Sequence, residues 1–117
     1  MNAEKAKGNV MKLSEQTCRP VKAGDPALSS QEVKEQMSEI PQWSLADNSL
    51  QREFRFKDFR KAIEFVNAVA GVANEQDHHP DIYISYNKVR LTLTTHKIGG
   101  LSMNDFIVAA KIDLLAP

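Results

Sequence analysis

The stretch DIYISYNKVRLTLT, residues 81–94, alternates apolar and polar side chains on both sides of a break at Asn87-Lys88. Ile82, Ile84 and Tyr86 share one parity before the break; Val89, Leu91 and Leu93 share one after it. Successive side chains of a strand point to opposite faces, so each half presents one apolar and one wetted face. Asn87-Lys88 supplies the turn. The stretch therefore reads as an antiparallel hairpin with one face on a core.

Upstream, Phe59, Ala62, Ile63, Val66, Val69, Ala70 and Ala73 recur at helical spacing behind Asp58, a capping residue type. Before that helix, Trp43 to Ala46 reads as a strand, and Asp47-Asn48-Ser49 has turn chemistry. Leu50, Phe54 and Phe56 then share one parity, with Arg52 the exception. These two segments make a first hairpin. Ser29 and Glu32 form a capping box for a short helix running to about Ile40 and stopped by Pro41. Downstream, Gly99-Gly100 breaks the pattern, and Ser102 with Asp105 starts a last helix. Leu101 and Phe106 sit as a hydrophobic staple there, and the core positions are Phe106, Ile107, Ala110 and Leu114.

The order is helix, two strands, helix, two strands, helix. It predicts an α+β fold: a four-stranded antiparallel sheet with helices packed on one face. Residues 1–28 are polar and aperiodic, with Gly8, Pro20, Gly24 and Pro26, and are expected to be a loosely packed tail. Residues 29–117 form the domain.

A length of 117 residues fits one domain. Lys and Arg total 15, as do Asp and Glu, so no global field draws the chain to nucleic acid or to an anionic membrane. No run approaches the roughly 18 apolar residues of a membrane span, and the N-terminus lacks a signal-peptide core. The single cysteine, Cys18, has no intramolecular partner. The expected location is the cytoplasm.

The three histidines are His78, His79 and His96. The first two follow the long helix in Asp77-His78-His79-Pro80, and the third ends the last strand. A hairpin brings the ends of successive strands together, so the three can meet. Imidazole suits a dehydration because its ordinary pKa is about 6.5, letting one ring accept a proton while another donates one. That chemistry needs no metal and no organic cofactor. Each residue also has a purely structural reading: loop histidines for His78 and His79, a strand-end histidine for His96, a cap for Asp105, core for Tyr86 and Trp43. A zinc site is the rival for three histidines. Adjacent side chains in an extended segment point apart, however, and no HExxH spacing exists. The same geometry requires the loop to turn if both His78 and His79 are to line one pocket.

One set of residues, in this order and spacing, resembles the signature of the pterin-4a-carbinolamine dehydratase family. It comprises Asp77-His78-His79-Pro80-Asp81, Tyr86-Asn87-Lys88-Val89, Leu93-Thr94-Thr95-His96, Gly99-Gly100-Leu101-Ser102 and Asp105. Pro41-Gln42-Trp43, Phe54-Arg55-Phe56-Lys57-Asp58-Phe59, Ala62 and Phe65 agree upstream, so the likeness spans about residues 28–112. The resemblance implies a lyase that dehydrates 4a-hydroxytetrahydropterin to quinonoid dihydropterin and water. That step recycles tetrahydrobiopterin for an aromatic amino-acid hydroxylase. It implies a pterin site made of Asp77, His78, His79, Thr94, Thr95, His96 and Lys97, with His78 and His96 as acid and base and His79 orienting substrate. It also implies a homodimer or homotetramer. Where many members carry glutamate, four residues before the first histidine, this chain has Asn74, and Glu75 is the neighbouring candidate for a carboxylate role. The alternative is a non-catalytic dimerisation, regulatory or pterin-binding module of the same fold.

Overall fold

The computed structural model describes residues 11–117. Strands β1 (Ser44–Ala46), β2 (Ser49–Arg55), β3 (Asp81–Ser85) and β4 (Lys88–Leu93) form one antiparallel sheet in the order β1-β2-β4-β3. Its register pairs Leu50 with Leu93, Arg52 with Leu91 and Phe54 with Val89. The alternating apolar residues of both hairpins thus fall on one face, where Leu50, Phe54, Val89, Leu91 and Leu93 are buried. Arg52 shares that face because its Nη1 lies 2.5 Å from Asp113 Oδ1 and its guanidinium sits 4.3 Å from the Phe54 ring centroid. Trp43 Nε1 donates to the same carboxylate oxygen at 2.8 Å.

The second turn falls one residue earlier than the sequence pattern suggested. Ser85 pairs with Lys88, which leaves Tyr86-Asn87 as the loop. Asn87 accepts from the Phe56 N–H at 2.9 Å, and its Nδ2 donates to the Phe56 carbonyl at 3.0 Å. That pair of hydrogen bonds pins Asn87 to the end of β2, so Lys88 joins the strand. Tyr86 takes a left-handed φ of 52° and stands out in solvent rather than in the core.

Three helices complete the chain: α1 (Ser30–Met37), α2 (Phe59–Gln76) and α3 (Met103–Asp113). Helix α1 begins at the Ser29–Glu32 capping box and ends before Ile40. Tighter turns, Glu39 N–H to Gln36 and Ile40 N–H to Met37, then seat the Ile40 side chain in the core. Asp58 caps α2 by accepting from the Lys61 N–H at 2.9 Å. The buried stripe of α2 is Ala62, Phe65, Val69 and Ala73, and Phe65 packs 4.7 Å from Phe54. Phe59 is half exposed instead, its ring nearly parallel to that of Tyr86.

Helix α3 is buried at every position from Asn104 to Ala110 because it is covered on two sides. One cover is α2, and the other is a 3-10 turn at Leu13–Glu15. Leu13 is 1% exposed and belongs to the core, and Lys111 Nζ donates to the Ser14 carbonyl. Of the segment expected to lie loosely, residues 1–10 fall outside the described residues, whereas residues 13–19 lie against α3 and the Leu28 N–H donates to the Leu101 carbonyl. A single leucine in a three-residue turn has no periodicity to betray it. Leu114 lies beyond the helix end and is exposed, so it is no core residue. Among the described residues, no helix is long and apolar enough to cross a membrane.

Gly99 and Gly100 serve different ends. Gly99 takes a left-handed φ of 64° after the 3-10 turn His96–Ile98. At Gly100 a Cβ would meet the Ala27 side chain at 2.9 Å, so the close approach of residues 27 and 100 requires hydrogen there. Gly100→Ala is expected to cost about 1–3 kcal/mol through overpacking. Thermal unfolding checks this, and a variant melting with the parent would show that the contact is not tight.

Candidate active site

Helix α2 ends in a way that aims the two adjacent histidines. Asp77 adopts a left-handed conformation (φ 52°, ψ 42°), the His78 N–H reaches back to the Ala73 carbonyl, and the Asp77 N–H reaches Asn74. This paired closure is a Schellman ending, normally given to glycine and tolerated by aspartate. It turns the chain just before the two histidines, at Asp77. The two rings then find different partners: Asp105 for His78 and Asn74, on the last turn of α2, for His79.

His78 Nε2 lies 2.6 Å from Asp105 Oδ1, and the Asp105 carboxylate is wholly buried. Its other oxygen accepts from the Thr95 hydroxyl at 2.7 Å and from the Ser102 N–H at 2.9 Å. Because the Thr95 proton is given to a carboxylate, the 2.8 Å contact between Thr95 Oγ1 and Ser102 Oγ has serine as donor. A carboxylate facing Nε2 keeps that nitrogen protonated, so the neutral ring carries its lone pair on Nδ1. Asp105 is thus both the cap of α3 and the anchor of His78. The sequence reading assigned it only the first job. The capping pattern was visible; the partner 27 residues away was not.

His79 Nε2 lies 3.1 Å from Asn74 Oδ1, so the position where the resemblance leads one to expect glutamate meets a histidine through an amide. Glu75 lines the same cavity without a hydrogen bond to any of the three rings among the described residues. His96 follows β4, at the start of the 3-10 turn, and is exposed. Thr94 donates to the Asn48 carbonyl at 2.7 Å, tying the end of β4 to the first hairpin turn. Lys97 Nζ donates to the Val21 carbonyl at 3.2 Å.

All of Glu75, Asp77, His78, His79, Thr94, Thr95, His96 and Lys97 line one cavity of about 600 Å³. That volume is of the order that holds a bicyclic ligand. Residues Cys18, Arg19, Pro20, Val21 and Asn104 also line it, and the sequence reading had none of them at the site. Burial pushes the Cys18 thiol up to about 11, so it stays protonated at neutral pH. Among the described residues, no group of three or more His, Cys, Asp and Glu side chains is arranged to hold a metal ion.

Sheet, helices and cavity together define a small α+β domain whose pocket gathers three imidazoles, one of them locked by a buried carboxylate. The chain belongs to the Pterin 4 alpha carbinolamine dehydratase family, whose sequence model matches residues 26–115. Members carrying that name are hydro-lyases. A relative from Nitrosomonas eutropha, named for pterin-4-alpha-carbinolamine dehydratase, is 46% identical over 92% of this chain and 96% of its own. One from Picosynechococcus, of the same name, is 51% identical over 75% of this chain and 96% of its own. A crystal structure of a transcriptional coactivator/pterin dehydratase from Brucella melitensis superposes with a TM-score of 0.74 at 33% identity. It covers 78% of this chain and 99% of that one.

Proposed function

We propose that the chain dehydrates a 4a-hydroxytetrahydropterin by histidine acid-base catalysis. The observation carrying this reading is the His78–Asp105 contact inside a cavity that His79 and His96 also line. With its Nε2 proton held by Asp105, His78 offers Nδ1 as the base. His96, protonated, donates to the hydroxyl on C4a. As the C4a–O bond breaks, N5 gives its proton to His78, and the electron pair left on nitrogen becomes the new C4a=N5 bond. Water and the quinonoid dihydropterin leave. His79, tethered to Asn74, orients the ring system. The resemblance and the relatives' names support the substrate class. The same reading places the chain in tetrahydrobiopterin recycling, beside an aromatic amino-acid hydroxylase, in the cytoplasm and as a homodimer or homotetramer.

A stopped-flow or coupled hydroxylase assay tests this directly. The purified chain is expected to accelerate decay of the carbinolamine absorbance, with a bell-shaped pH profile of kcat/KM from one protonated and one neutral imidazole. A decay equal to buffer would sink the enzyme reading, and a flat profile would reject paired imidazoles. A second reading draws on the Brucella relative, described as a transcriptional coactivator as well as a dehydratase. It is a protein-binding role that leaves the pocket idle, and decay equal to buffer is what it requires.

A further inference from the structure

Residues 18–21 line the histidine cavity, and four hydrogen bonds from three side chains tether them there. The Cys18 N–H donates to Gln76 Oε1 at 2.8 Å, beside Asp77. Lys97 Nζ reaches the Val21 carbonyl, beside His96. Asn104 binds Arg19 from both sides: its Oδ1 accepts from the Arg19 N–H at 3.0 Å, and its Nδ2 donates to the Arg19 carbonyl at 2.6 Å. All three tethering side chains, Gln76, Lys97 and Asn104, line the cavity themselves. Asn104 is nearly buried and directly precedes Asp105, so neighbouring residues of α3 hold the wall and the His78 ring.

Packing alone does not fix this wall. Residues 18–21 also line a second cavity of about 720 Å³ with Met103 and Ile107, so there is open space on a further side. A segment between two cavities keeps its place through directed hydrogen bonds, and a buried amide with both groups satisfied on one peptide unit fixes position well.

We propose that residues 18–21 form the wall against which the pterin is seated, and that Asn104 is the positioning residue that holds this wall. The proposal rests on the pterin reading of the pocket. The wall is assigned to binding and does not touch the reacting atoms, so loosening it weakens ground state and transition state alike. Such uniform loss appears in KM and leaves kcat nearly unchanged.

The test uses the full chain, Asn104→Ala, and 7,8-dihydrobiopterin as a stable reduced pterin. Removing two hydrogen bonds is expected to raise KM about 5- to 30-fold, with kcat within about 3-fold of the parent. Cys18 is the sole cysteine, so alkylation by iodoacetamide reports the wall independently of turnover. Its half-buried thiol should react slowly in the parent, faster in Asn104→Ala, and more slowly still when dihydrobiopterin is bound. Faster labelling with an unchanged KM would overturn the proposal, as would a fall in kcat at constant KM, which would mark Asn104 as acting through Asp105. Should Asn104→Ala lack a cooperative melt, Gln76→Ala loosens the same segment and is held to the same outcomes. If the parent fails to turn over the carbinolamine, the functional reading falls by itself. Dihydrobiopterin protection of Cys18 then decides the wall: protection sustains it and its absence rejects it.

Discussion

His78→Ala is expected to lower kcat by about 100- to 10,000-fold, the usual worth of one positioned acid-base group. The ring is the point at which the buried Asp105 carboxylate meets the cavity, and no other imidazole has that partner among the described residues. His79 lacks that carboxylate, its Nε2 meeting the Asn74 amide oxygen instead. His96→Ala should lose activity on the same scale through the opposite proton, while His79→Ala should act mainly on KM. Losing one donor to the wholly buried Asp105 carboxylate should lower the melting temperature by several degrees, at a cost of about 1–3 kcal/mol, while circular dichroism still reports the parental fold. A His78→Ala enzyme retaining more than about a tenth of parental kcat would fall outside the expected range and remove this residue from the chemistry.

Asp105→Asn should be nearly as damaging to turnover. The carboxylate accepts from three donors: His78 Nε2, the Thr95 hydroxyl and the Ser102 N–H. An amide has one oxygen. If that oxygen stays with Thr95 and Ser102, the NH2 faces His78 and requires a lone pair on Nε2. The ring proton then moves to Nδ1, the nitrogen that must receive the substrate's proton. If the amide turns over, the Ser102 N–H at the start of α3 faces a donor. The expected result is a loss of about 100- to 10,000-fold in kcat with the fold retained. Asp105→Ala should go further, because three buried donors lose their acceptor together. A cost of about 3–5 kcal/mol corresponds to a fall of roughly 10–20 °C in Tm. An Asp105→Asn variant with parental kcat would show that the contact is structural only, and the acid-base assignment of His78 would lose its physical basis.

Much of the scaffold could be read locally. Alternation in residues 50–56 and 81–94, and the spacing of Ala62, Val69 and Ala73, are consequences of backbone geometry over a few residues, and they located β2, β3, β4 and the long helix. Turns were legible as turns but not to the residue, since the choice of Tyr86-Asn87 depends on Asn87 finding Phe56, 31 residues back in the chain. Arg52 stood out as a break in an apolar pattern. Its main partner, Asp113, lies 61 residues on at the end of α3, and the Phe54 ring two residues along β2 completes the contact.

The sequence by itself determined the element order, the apolar face of each hairpin and the family, because periodicity and motif spacing are written along the chain. It also marked the three histidines, with Thr94, Thr95 and Lys97 nearby. Tertiary structure alone decided what those residues meet: Asp105 beneath His78, Asn74 beside His79, Leu13 in the core, and residues 18–21 along the pocket. The physical reason is that a side-chain hydrogen bond depends on distance and angle in space. Partners 27 residues apart, as His78 and Asp105 are, come together only after the sheet register and the left-handed end of α2 have placed both backbones.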